Sequence, residues 1–202
     1  MIKNVVFDMG GVLIDFDAGK TIRTYFPEEY YDVLMGEVFN SELWRKIDRG
    51  LLRPEQAISL VLPGIPEETR PLIKEMLSDF YPYMPPFPEM YDFVKRIKTA
   101  GYNVYLLSNA GARFFDRYFD IPALSLMDGL FISALYKLLK PQQEIYRAFC
   151  DKFSLNPEEC FFVDDMPQNI EGAVKFGMKG HVFKSTDIPA LEKALNAEGV
   201  IF

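Results

Sequence analysis

Apolar and polar positions follow two different periods along this chain. Short apolar runs rich in β-branched and aromatic residues recur at 5–7, 103–108, 130–133, 160–163 and 180–183. Such runs predict buried strands. Between and after them the period changes to that of a helix. Met90, Phe93, Val94 and Ile97 share one face, and Gly101 closes that segment. Further helical patterns cover 113–118, 141–153 (with Ile145, Phe149 and Phe153 on one face), 170–176 and 188–196. Asn156 and Pro157 mark a short capped turn before the fourth strand.

One long stretch breaks the alternation. From Ala18 to Phe80 the pattern is helical throughout, with segments at 28–39, 41–49 and 69–80. Ser41 is placed to cap one helix, Gly50 to end it, and Pro54 to start the next. Residues 63–66 form a loop. Pro82, Pro85, Pro86 and Pro88 then predict a stiff, extended connector, a natural hinge partner for the crossing at Asp15–Asp17. Strand–helix alternation on either side of this stretch predicts an α/β fold, a parallel sheet with right-handed crossovers sandwiched by helices. The all-helical stretch is inserted just past the first strand.

Composition narrows the partners. At 202 residues, 49% hydrophobic and 25% charged, the chain has ample material for a core. Its net charge of -7 argues against nucleic acid, which requires a basic surface. Two cysteines without CxxC spacing and a single histidine argue against zinc. Cys150 and Cys160 read as buried, reduced thiols, which points to the cytoplasm. The first strand begins at once, without a leader, and no apolar run approaches the roughly 18 residues of a membrane span.

The polar residues that end the strands carry the chemistry. The first strand stops at Asp8, followed by Gly10 and Gly11; the second ends in Ser108-Asn109; another ends in Asp164-Asp165. Lys140-Pro141 lies between the last two. Each alone reads as a turn, a cap or a solvated charge. A parallel sheet, however, gathers its carboxyl ends at one edge, so all six polar residues are expected to face one crevice. Three carboxylates there repel one another, and one Lys offsets a single charge. Oxygen ligands suit Mg²⁺.

The four segments Val5-Val6-Phe7-Asp8-Met9-Gly10-Gly11-Val12, Leu106-Leu107-Ser108-Asn109, Lys140-Pro141 and Phe161-Phe162-Val163-Asp164-Asp165 through Asn169 occur in the order and spacing of the haloacid dehalogenase-like hydrolases, which this chain resembles, in particular the sugar-phosphate phosphatases similar to α-glucose-1-phosphate phosphatase. The resemblance implies a Rossmann-like core of residues 1–15 and 86–202 and a helical cap of residues 16–85 with its Pro-rich hinge. It implies Mg²⁺-dependent hydrolysis of a small phosphorylated metabolite through an aspartyl-phosphate. Asp8 would be nucleophile and metal ligand, with the Gly10 carbonyl, Asp165 and Asp164 completing the protein's share of the ligands. Ser108, Asn109 and Lys140 would bind and neutralise the phosphoryl group, while Asn169 and Asp15 would support the site from behind. A 2-haloacid dehalogenase, or a non-catalytic protein keeping the fold, are the alternatives. The oligomeric state is not written in the sequence.

Gly10 departs from the pattern. Most phosphatases of this family have an Asp there, a general acid–base of the kind that supplies on the order of 10²–10⁴-fold in rate. An acidic leaving group, a water, or Asp15 or Asp17 would have to stand in. Trp44 reads as packing inside the helical stretch, Arg45 and Arg49 as a solvated face, and His181 as structural. The pairs Phe114-Phe115 and Tyr30-Tyr31 also read as packing.

Overall fold

The computed structural model describes residues 1–79, 81–184 and 187–202. Five strands, β1 (Asn4–Phe7), β2 (Asn103–Ser108), β3 (Gly129–Ile132), β4 (Cys160–Asp164) and β5 (Lys179–Val182), form one sheet in the order β3-β2-β1-β4-β5. Every pairing is parallel. Phe7 lies opposite Leu106 on one side and Val163 on the other. That register sets Asp8 level with the carboxyl ends of both neighbouring strands.

Helices cover both faces, as the alternation predicts. Val5 and Phe7 point to one face and Val6 to the other, because side chains alternate along a strand. The first face packs with Val104, Leu106, Phe161 and Val163 against α5 (Pro88–Thr99) and α8 (Ile188–Ala197). The second packs with Leu107 and Phe162 against α6 (Gln143–Phe153) and α7 (Pro167–Phe176). These four helices bury an apolar stripe each, so the sheet is enclosed on both sides.

The helical stretch carries α1 (Ala18–Tyr25), α2 (Glu42–Asp48), α3 (Pro54–Val61) and α4 (Arg70–Ser78). It has its own buried cluster, which includes Ile22, Leu34, Val38, Ile58, Ile73 and Met76. Ser41 caps α2 by accepting a hydrogen bond from the Trp44 N–H at 3.4 Å. The chain crosses into and out of this stretch at one place. Ile14 bridges Pro86, and the Asp15 N–H donates to the Pro85 carbonyl at 2.8 Å.

Three boundaries differ from the sequence pattern. The helix expected over 28–39 is a 3₁₀ turn (Glu28–Tyr30), one α turn (Tyr31–Leu34) and a π turn (Met35–Phe39). Gly36 and the β-branched Val33 and Val38 weaken a regular helix there. The helix expected over 69–80 ends at Ser78, with Asp79 extended; Phe80 lies outside the described residues. The Pro-rich connector opens with a 3₁₀ turn (Tyr81–Tyr83), and Pro88 belongs to α5, where its missing N–H costs nothing. Among the described residues no helix is long and apolar enough to cross a membrane.

Candidate active site

Asp8 follows directly on β1 and is buried, and its N–H donates to the Val163 carbonyl at 2.8 Å. The chain then turns at Gly11, whose φ is +68°. A Cβ on Gly11 would fall 2.7 Å from the Asp165 carboxyl carbon, so this turn needs glycine both for its backbone and to let β4's loop approach. One oxygen each from Asp8, Asp164 and Asp165 lies within 4.8 Å of the others.

Lys140 reaches into this group from the loop before α6. Its buried Nζ is 2.8 Å from Asp8 Oδ1 and 2.6 Å from Asp164 Oδ2, and it donates to the Leu107 carbonyl at 3.1 Å. Two of its N–H groups thus have hydrogen-bond acceptors, Asp164 and Leu107, and Asp8 is held by the ion pair. Asn109 holds the Lys140 backbone at both ends: Asn109 Nδ2 donates to the Lys140 carbonyl at 3.2 Å, and the Lys140 N–H donates to Asn109 Oδ1 at 2.9 Å.

Asp164 and Asp165 have different surroundings. Asp164 is completely buried and accepts from Asn169 Nδ2 at 2.9 and 3.1 Å and from the Met166 N–H at 2.9 Å. Asn169 is anchored in turn, since the Tyr146 hydroxyl donates to its carbonyl at 2.7 Å. Asp165 faces the cavity. Burial, then the neighbouring Asp164 charge, pushes its carboxyl up to about 6 against the pull of Lys140. Burial pushes Asp8 up to about 7, with Lys140 opposing and Asp164 and Asp165 adding to the rise. Burial disfavours the charge on Lys140, yet Asp164 and Asp8 outweigh it and hold the ammonium above its ordinary value. Asp8 Oδ1 is buried, and the Lys140 approach lacks hydrogen-bond alignment. A group of acidic oxygens with one cation among them and an unaligned buried acceptor suits a hard divalent ion such as Mg²⁺.

A cavity of about 600 Å³ opens above these groups, bordered by Asp8, Gly10, Ser108, Asn109, Lys140, Asp165 and Asn169. The structure therefore brings together all the residues that the strand-end pattern singled out, with Asp164 behind Asp8 and Lys140, but not Asp15, which the family resemblance implied. Asp15 is turned away, ion-paired with the exposed Lys20, because the chain is already leaving the sheet there. Asp17 caps α1 by accepting from the Lys20 N–H at 2.9 Å. Neither borders the cavity.

Three residues of the helical stretch act differently from their sequence reading. Trp44 packs in the helical cluster and also borders the cavity. Arg49 crosses to the sheet region and donates to Gln142 Oε1 at 2.7 Å, while Arg45 remains exposed. Asp48, which the sequence pattern did not single out, borders the cavity with Asp8 and Lys140. Its backbone is docked, since the Ser133 hydroxyl donates to its carbonyl at 2.6 Å. Burial, then the Asp8 charge, raises its carboxyl well above the ordinary range against the pull of Lys140. The only sequence signal for Asp48 was the missing acid at Gly10, and sequence distance hid the connection.

Residues 2–177 match the model of the haloacid dehalogenase-like hydrolase family. The chain belongs to that family. It is 27% identical over 184 residues to a sesquiterpene phosphatase of Aspergillus oryzae, covering 88% of each chain. It is 28% identical over 124 residues to an (S)-2-haloacid dehalogenase of Burkholderia cepacia, covering 61% of this chain and 54% of that protein. Its fold superposes with a TM-score of 0.73 on a family enzyme of Bacteroides thetaiotaomicron crystallised with magnesium and inorganic phosphate, at 20% identity over 95% of this chain and 99% of that one. The family hydrolase is thus an enzyme on an α/β sheet, with phosphatases and dehalogenases among its relatives.

Proposed function

We propose that this hydrolase is a Mg²⁺-dependent phosphatase acting on a small phosphorylated metabolite in the cytoplasm, where its two buried thiols would stay reduced. The observation that carries this reading is the trio Asp8, Asp164 and Asp165 around the single cation Lys140. A dehalogenase needs the nucleophile but gains nothing from two further acids beside it, since they repel the charge it must carry.

Asp8, the Gly10 carbonyl, Asp165 and, behind them, Asp164 would hold Mg²⁺. The ion would supply positive charge to the phosphoryl oxygens. Ser108 and Asn109 bind the phosphoryl group and Lys140 neutralises it. The Asp8 carboxylate forms a bond to phosphorus as the bond from phosphorus to the alcohol oxygen breaks, leaving an aspartyl-phosphate that water then hydrolyses. Residues 1–15 and 86–202 act as the core, and 16–85 as a cap hinged at the Pro-rich crossing, which admits substrate and excludes water.

The departing alcohol oxygen needs a proton, and Gly10 has none to give. Asp48 takes that role from the cap: it borders the same cavity, and burial raises its carboxyl well above the ordinary range. Asp48→Asn is expected to lower kcat on alkyl phosphates by about 10²-fold. On acetyl phosphate, whose leaving group needs no proton, the loss is expected to be under about tenfold. Equal losses on both substrates would refute the assignment.

The whole reading is tested by phosphate release from a panel of phosphorylated metabolites in Mg²⁺ and in EDTA. Release is expected in Mg²⁺ and its loss in EDTA. Full activity in EDTA would remove the metal from the mechanism, and no release from any compound would remove the phosphatase.

A further inference from the structure

The wall of the cavity next to Asp8 is aromatic. Phe16, Trp44 and Phe39 all border it. The Phe16 and Trp44 rings are parallel to within 7° with centroids 6.2 Å apart, and Phe39 lies 5.1 Å from Trp44. Phe16 packs against both the sheet core and the helical cluster, so its position is set from two sides. A Cβ on Gly10 would lie 3.2 Å from Phe16 Cδ1. The ring therefore occupies the space into which a side chain at position 10 would grow. Apolar surface takes the place of the acid that family phosphatases place there.

Ile47, Leu77, Met84 and Phe114 continue the apolar lining. The cationic groups at the cavity edge are committed elsewhere. Arg113 pairs with Glu55 and donates to the Ser78 carbonyl, and Arg117 pairs with Asp120 at 2.9 Å. Asn40, Asp48, Ser78, Asp79 and Asp116 border other parts of the cavity, but a polyol laid on the aromatic wall would set its hydroxyls against rings and lose their hydrogen bonds to water. At about 600 Å³ the cavity has room for an organic group well beyond the phosphate.

We propose that the substrate is the phosphate monoester of an apolar alcohol, a hydrocarbon chain or flat ring seated against Phe16, Trp44 and Phe39. The inference rests on the phosphatase reading and narrows it away from sugar phosphates. The reaction balances as above: the P–O bond to the alcohol breaks, its oxygen takes a proton, and the apolar alcohol is released with inorganic phosphate after hydrolysis of the aspartyl-phosphate.

The test measures kcat/KM in Mg²⁺ for butyl, hexyl and octyl phosphate, glucose 1-phosphate and acetyl phosphate. A rise of about fourfold per methylene is expected, the value of one buried CH₂, with glucose 1-phosphate below hexyl phosphate. Trp44→Ala is expected to flatten the dependence on chain length. Because Trp44 is the sole tryptophan, the unaltered protein supplies a second readout. Octylphosphonate is expected to shift its fluorescence saturably and at lower concentration than butylphosphonate. A flat chain-length series, or a preference for glucose 1-phosphate, with acetyl phosphate still hydrolysed, would overturn this inference and leave the phosphatase standing. No hydrolysis of any of the five, acetyl phosphate included, would overturn both.

Discussion

Replacing Asp8 by Asn is expected to lower turnover by at least about 10⁴-fold, the scale on which loss of a nucleophile is felt, and to raise the melting temperature of the metal-free protein at pH 8. Both effects come from the same carboxylate. It is the only strand-end acid within ion-pair distance of Lys140 that also borders the cavity, so no neighbour can take over its attack on phosphorus. In the folded chain its carboxyl is pushed up to about 7, against an ordinary value of 3.8. The unfolded chain thus releases this proton at lower pH than the folded one. Its contribution to stability is complete below the ordinary value and is lost as pH rises toward 7. The linkage of about 1.4 kcal/mol per unit sets an upper limit of about 4 kcal/mol on that loss. Asn carries no charge and avoids it. Thermal unfolding in EDTA at pH 5 and pH 8 measures the effect: the wild type is expected to lose stability between the two and Asp8→Asn to lose much less. A variant less stable than the wild type at pH 8 would mean that the Asp8–Lys140 pair outweighs repulsion among the acids. Mg²⁺ is expected to restore the wild type at pH 8 and to do little for the variant.

Lys140→Met is expected to cost about 3–5 kcal/mol, because removing one partner of a buried ion pair strands the other. Here it strands two carboxylates and a carbonyl, since Nζ serves Asp8, Asp164 and Leu107 together. For a chain of this length that is a fall in melting temperature of roughly 10 °C. The loss is expected to be largest at pH 8 and to shrink as pH falls below about 7, where Asp8 takes up a proton. Turnover is expected to fall by about 10²–10³-fold, as when a single charge-stabilising donor is removed. Lys140→Arg is not expected to rescue it, because a planar guanidinium does not fit a pocket shaped around a point charge. Calorimetry at pH 5 and pH 8 with phosphate-release assays checks each part. An equal fall at both pH values would show that lost packing, not stranded charge, carries the destabilisation.

Much of this was legible in the chain. Strand positions, the parallel sheet and the convergence of Asp8, Ser108, Asn109, Lys140, Asp164 and Asp165 follow from local periodicity and one topological rule. Parallel strands put all their carboxyl ends at one edge, and that rule needs no distances. Asn169 lies only five residues after Asp164, so its part in bracing the acidic loop was within reach of local sequence.

What spans sequence distance was not legible. Asp48 lies far along the chain from Asp8, and only the docking of α2's end on Ser133 brings its carboxyl to the site. Asp15 sits closer in sequence and was the natural substitute for the missing acid, but the turn out of the sheet pairs it with Lys20. Trp44 looked like ordinary packing, because a sequence does not say which rings border a cavity. The sequence by itself determined the sheet and the acids at its edge, since strand period and crossover handedness are properties of short segments. Only the tertiary structure decided that Phe16 stands in the space beside Gly10 and that Asp48 borders the same cavity, because both depend on how one packed cluster is set against another.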